Sequence, residues 1–239
     1  MIGGTWQNTA SDRTAVVPAT QRIAALMVVL PVFLQAPWVR LHPFSAVLFT
    51  GVLLAIGIPL QHGRQGRSAD IGALLVGFSG SWLAGCLFWG WLRSHPVLHL
   101  PIEAFALPLA ITGLNSRWHL ASGFYLASLL GTACTDLTMA ITGVMPFWPA
   151  VVSAPLDLAP ALLHEAGMQL MHPLPLTVLS LAAITVLLLG RWMHRKSQST
   201  VPDSETWSMA AAVLTTTLWV DGLFLLAAVL QPGMSGLIE

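Results

Sequence analysis

The segment Trp207–Leu230, WSMAAAVLTTTLWVDGLFLLAAVL, decides the class of this chain. It is longer than the roughly 20 residues of helix that cross a hydrocarbon core of about 30 Å. Its one ionisable side chain is Asp221. A carboxylate at bilayer depth costs roughly 2.5–3.5 kcal/mol on insertion scales, so it is kept where it is paired or used. Similar apolar runs recur along the chain, Leu174–Met193 (LPLTVLSLAAITVLLLGRWM) being the plainest. Seven spans are predicted, over residues 22–39, 44–60, 71–92, 97–114, 119–145, 174–193 and 207–230. The first, second and fourth are short and carry Pro31, Pro37, Pro59, Pro101 and Pro108, which predicts kinks, tilt or re-entrant stretches there. The expected fold is all-α, a polytopic membrane helix bundle. It would be one transmembrane domain, 22–230, between a flexible tail 1–21 and a short tail 231–239.

Composition agrees. Of 239 residues only 8% are charged and 55% are hydrophobic, and mean hydropathy is +0.74. An ordinary soluble domain carries about 25% charged residues. Zero net charge offers no electrostatic footprint for nucleic acid. No zinc-finger, P-loop or dinucleotide glycine motif appears, and no nucleophile elbow. The sequence therefore leans away from an enzyme and names no cofactor. Ten Trp against one Tyr suit a chain with two water–lipid interfaces. Trp82 and Trp219 fall near mid-span and are expected in the core. Cys86 and Cys134 lie inside apolar segments and are expected as buried thiols, not a disulfide. The polar first 21 residues, and the lack of a small-residue cleavage site after Ile23–Val39, predict no cleavable signal peptide.

Seven spans place alternate connections on opposite sides. One side collects Arg13, Arg22, Arg64, Arg67, Arg117, Arg191, Arg195 and Lys196; the other has only Arg40 and Arg93. The positive-inside rule then predicts a cytoplasmic N-terminus. The connection 146–173 has no Lys or Arg and contains a predicted short helix within 155–172. Leu163, Ala166, Leu170 and Met171 share one of its faces, with His164, Glu165 and Gln169 elsewhere. An interfacial helix is expected, the alternative being a cap over a site. Met168 stands where a zinc-protease motif needs its second His. The loop 194–206 is expected to be flexible.

Three acids interrupt the spans: Glu103, Asp136 and Asp221. The alternating direction of the spans brings them to a common level, bordered by Arg40 and Arg93. Three arrangements satisfy such groups: pairing with those arginines, hydrogen bonding as neutral acids, or binding a cation. Ser128, Thr132 and Asp136 are spaced by four, as are Thr217 and Asp221, so each set stacks on one helix face. Polar stripes in a bilayer turn toward other helices or a wet cavity. This polar cluster is the candidate ion, proton or ligand site. His95, His99 and Glu103 repeat the spacing of four, and His and Glu are ligands for a metal or, for His, a pigment or haem. Pro96 and Pro101 interrupt that stripe. Gly77, Ser81 and Gly85 form a small-residue stripe suited to close helix packing.

The segments Trp82–Arg93 (WLAGCLFWGWLR), His95–Ala104 (HPVLHLPIEA), Phe124–Leu137 (FYLASLLGTACTDL) and Val220–Phe224 (VDGLF) resemble a family of cyanobacterial integral membrane proteins catalogued only as a domain of unknown function. The resemblance covers roughly residues 22–230 and carries no catalytic role. It implies a thylakoid or plasma membrane, with the lipid bilayer and photosynthetic membrane complexes as partners. The expected function is thus an accessory or assembly protein of a photosynthetic membrane. The rivals are a small proton- or cation-coupled transporter, and a membrane enzyme on a lipid or isoprenoid using His99 and Glu103.

Overall fold

A computed structural model describes residues 19–63, 66–155, 157–199 and 203–230. Nine helical elements organise them. Seven are long and apolar enough to cross a membrane: α1 (Ala19–Leu41), α2 (Pro43–Gly63), α3 (Arg67–Leu92), α4 (Pro96–Gly113), α5 (His119–Ile141), α8 (Pro173–Ser197) and α9 (Ser204–Leu230). Between α5 and α8 lie a 3-10 turn, Met145–Phe147, and two short α-helices, α6 (Trp148–Ser153) and α7 (Ala159–Leu170). No strand occurs among the described residues. The protein is thus an all-α integral membrane chain with the seven spans predicted.

Most boundaries moved outward, but α5 ends at Ile141, short of the expected 145. α1 begins at Ala19, inside the stretch expected as a tail, and α8 and α9 take residues 194–197 and 204–206 from the two ends of the expected flexible loop. The rest of that N-terminal tail (1–18), residues 200–202 of the loop, the tail 231–239, and Arg13 and Arg64 lie outside the described residues. The extra turns are polar. Helical hydrogen bonding continues past the hydrocarbon edge because water and headgroups accept polar side chains there. One such end is tied by Thr20, whose hydroxyl donates to Glu205 Oε1 at 2.5 Å, and by Gln21, which bonds Ser208.

α3 is the central helix: 61% of its most apolar window is buried, against 6% for α4. α2, α5 and α1 pack on α3, while α9 packs on α5, α1 and α8. Small residues make these contacts close. A Cβ on Gly77 would stand 2.4 Å from the Ala121 carbonyl oxygen of α5, and one on Gly72 would stand 2.7 Å from Gly57 O of α2. Gly85 faces Gln35 of α1 in the same way. The expected stripe is therefore intramolecular at Gly77 and Gly85.

π-helical turns interrupt α1 at Pro31–Gln35 and α3 at Phe88–Leu92. Pro31 has no N–H for the regular ladder, and a wider turn absorbs the mismatch. That turn carries Gln35 inward, 2% exposed, where its amide donates to Trp82 O and contacts Cys86 Sγ at 3.1 Å. Trp82 is fully enclosed and donates to Ala46 O at 2.8 Å. Trp219 corrects the expectation for it: 72% exposed, it points out of the bundle. On α9 the helical period sets Thr217 toward α5 and Trp219 two positions away on the outer side. Cys86 and Cys134 are free thiols.

α7 covers its predicted face, with Ala166 buried and Leu163, Leu170 and Met171 half-buried, but His164 turns inward as well. His164 donates from Nδ1 to Ala228 O at 3.0 Å, and a Cβ on Gly167 would meet Val229 at 3.2 Å. The His164–Gly167 side thus seats on the last turn of α9. The imidazole hydrogen-bonds a backbone carbonyl of α9 and so fixes α7 against it.

Candidate polar site

α4 is the broken span. Pro96 opens one 3-10 turn, Pro96–Leu98; a single α-turn, His99–Glu103, follows; the helix resumes at Leu107–Gly113. Pro101 removes a ladder donor within the first piece. Pro108 sits in the opening turn of the second piece, where its missing N–H costs nothing. Across the gap, residues 104–106, local turns satisfy the N–H groups of Ala104 and Phe105, and Tyr125 of α5 serves those the turns leave. Its hydroxyl accepts from Ala106 N–H at 3.1 Å and donates to Glu103 O. Non-helical backbone in a span is tolerated only where protein or water covers it. Tyr125→Phe should therefore lower stability by about 1–3 kcal/mol, read by denaturation of the purified protein. An unchanged stability would mean that the gap does not depend on this hydroxyl.

The single turn His99–Glu103 sets both side chains on one face, against α5. His99 Nδ1 lies 3.1 Å from Asp136 Oδ1, and Nε2 lies 3.6 Å from Glu103 Oε1. The imidazole thus stands between two carboxylates. In its protonated form it places one positive charge between two negative ones. Phe88 stacks on the ring at a centroid distance of 4.3 Å, brought there by the π-turn of α3. Thr132 donates to Glu103 Oε2 at 3.1 Å.

Asp221 of α9 joins through a residue the spacing argument passed over. Thr135 Oγ1 lies 2.6 Å from Asp221 Oδ2. Thr135 and Asp136 are neighbours about 100° apart around α5, so one serves α9 and the other serves α4. The expected partner, Thr217, instead bonds Val213 O at 3.2 Å and packs on Gly131. Glu103, Asp136, Thr132 and His99 therefore form one contact network, with Asp221 beside it through Thr135. Ser128, half-buried one turn before Thr132 on α5, makes none of these contacts.

The arginines do not close the site. Arg40 is exposed, and among the described residues Glu103 and Asp136 meet His99 and Asp221 meets Thr135, with no pairing to Arg40 or Arg93. Arg93 instead accepts a hydrogen bond at its backbone carbonyl from Trp148 Nε1 at 2.7 Å. A His side chain already on the acids' own level reaches them without crossing a helix end. His95 leaves the predicted stripe as well: the 3-10 turn rotates it outward, where it is exposed and contacts Ser94 at 3.0 Å. Both nitrogens of His99 face carboxylates, so neither points to a free ligand position. No group of three or more His, Cys, Asp or Glu with metal-holding geometry occurs among the described residues.

Two signals in the sequence bear on what was missed. Thr135 is adjacent to Asp136 and one turn after Gly131, a pattern that marks a second contact face on α5. Tyr125 is the one tyrosine of the chain, ten residues before it.

A family model described as a protein of unknown function (DUF3120) matches residues 24–229. No curated protein and no solved structure matches the chain.

Proposed function

The chain belongs to the DUF3120 family of proteins of unknown function, and from that premise we propose that it is an accessory or assembly protein of a cyanobacterial photosynthetic membrane. In this reading it sits in the thylakoid or plasma membrane with a cytoplasmic N-terminus, by the positive-inside bias. The observation that carries it is the network around His99. Asp136 meets the imidazole and Thr132 meets Glu103, which fastens α4 to α5, while Thr135 meets Asp221 and fastens α9 to α5. The cluster then acts as an internal clamp. It holds a mostly exposed, broken span whose outer face carries Val97, Phe105, Leu109 and Ile111 toward lipid or a membrane partner.

The test is a tagged full-length protein purified from its native membrane, with a deletion strain in parallel. Photosystem or pigment–protein components should co-purify, and the deletion should lower their assembled amount. Glu103→Gln, Asp136→Asn and Asp221→Asn, reintroduced singly, should weaken both effects in proportion to lost protein stability. Co-purification of no such component, together with a deletion strain of wild-type photosynthetic growth, overturns the reading.

The break in α4 favours a second reading, a small proton- or cation-coupled transporter. Discontinuous spans beside intramembrane acids are the usual construction of secondary-transport sites. Asp136→Asn and Asp221→Asn would then abolish uptake while leaving the amount of folded protein unchanged, and full activity of both variants rules this reading out.

A further inference from the structure

We propose that the outer face of α8 seats an anionic lipid, its acyl chain along Leu181, Ile184 and Leu188 and its phosphate or sulfonate headgroup between Arg191 and Arg195. These five residues follow a 3-4-3-4 spacing and so form one stripe of the helix. All five are exposed, the three apolar ones at 59%, 51% and 57%. α8 packs its other side on α9 and α5, which leaves this stripe uncovered by the bundle. From Leu181 to Arg191 the helix rises about 15 Å, the depth of one leaflet of the hydrocarbon core. The stripe therefore changes from apolar to cationic where a lipid changes from chain to headgroup.

The cations are free to receive an anion. None of Arg191, Arg195 and Lys196 pairs with a carboxylate among the described residues. Arg191 and Arg195 are four apart, a spacing at which like charges repel and a shared counter-anion relieves the repulsion. Beside them Trp192 is half-exposed, braced edge-on by Trp207 at 5.3 Å between centroids, with Lys196 Nζ 5.9 Å above its ring. An indole fixed at headgroup level walls one side of the seat. Basic residues in a last turn also complement the helix dipole. That effect needs neither the apolar stripe nor the tryptophan, whereas a lipid uses both. An acidic soluble protein would meet the arginines but not the leaflet-deep stripe below them.

The experiment is native mass spectrometry of the full-length protein in a neutral detergent, titrated with phosphatidylglycerol and, separately, phosphatidylcholine. Wild type should retain phosphatidylglycerol at least about tenfold more tightly, given about 1 kcal/mol per basic side chain at a membrane surface. Arg191→Gln with Arg195→Gln should remove that preference. Arg191→Lys with Arg195→Lys should keep most of it, and Arg67→Gln with Arg117→Gln, on the same end of the bundle, should keep all of it. Equal retention of the two lipids by wild type overturns the proposal, as does an undiminished preference in the glutamine variant. Competition by glycerol 3-phosphate as effective as that of the intact lipid would also overturn it, by reducing the seat to a phosphate contact.

Discussion

Gly77→Ala should separate α3 from α5 and give one of the largest losses of folded protein among alanine substitutions of the described glycines. The new Cβ would stand 2.4 Å from Ala121 O and 3.0 Å from Ala121 Cα. Both are backbone atoms of a neighbouring spanning helix, so no side-chain rotation relieves the overlap. One helix must shift, and α3 cannot do so alone because α2 and α1 pack on it too. Overpacking of a close-packed interior typically costs about 1–3 kcal/mol, and a backbone–backbone collision belongs at or above the top of that range. The control is Gly51→Ala, where nothing lies within 4 Å of the new atom. There the substitution should be neutral or slightly stabilising, since alanine is the better helix former. Thermal unfolding of the two variants in one detergent makes the comparison, and equal midpoints would refute the close-packed seam.

The second large effect lies in the polar site. His99→Leu should destabilise the protein by about 3–5 kcal/mol, the typical consequence of removing one partner from a buried ion pair. Glu103 and Asp136 would then share an apolar region without the group between them. The cost comes from the carboxylates left behind, so removing their charge should reverse it. Glu103→Gln with Asp136→Asn, added to His99→Leu, should recover most of the lost stability, because an uncharged cluster carries no unpaired ion. Equilibrium denaturation of the single and triple variants measures both steps. A triple variant less stable than His99→Leu itself would mean that the carboxylates are held by something other than the imidazole.

These expectations show what was legible in the sequence. Span number and position followed from length and apolarity alone, because a bilayer imposes both on any crossing helix. Asp221 and Asp136 were visible as anomalies for the same reason. Their partners were less visible. Spacing by four finds residues that share a helix face, as His99 and Glu103 do at 3.6 Å, although Thr132 bonds Glu103 of α4 and not Asp136 of its own helix. It fails across helices, where the partner is fixed by packing: Thr135 for Asp221, Tyr125 for the α4 gap, Phe88 for the His99 ring. The arginines were expected as counter-charges because they flank the same end. A guanidinium at a helix end has water and headgroups available, while His99 already lies beside the acids.

By itself, then, the sequence determined an all-α membrane chain of seven spans, the places where proline weakens them, and the three acids that an apolar core does not leave to chance. Only the tertiary structure decided that α3 lies at the centre, that α4 is broken and tied through Tyr125, and that His99 stands between Glu103 and Asp136. The physical reason is the range of each constraint. Hydrocarbon acts on every residue of a span according to its own polarity, so its mark is local and additive along the chain. Hydrogen bonds and close packing act between helices over about 3–4 Å, and which helices come that close depends on how all of them pack together.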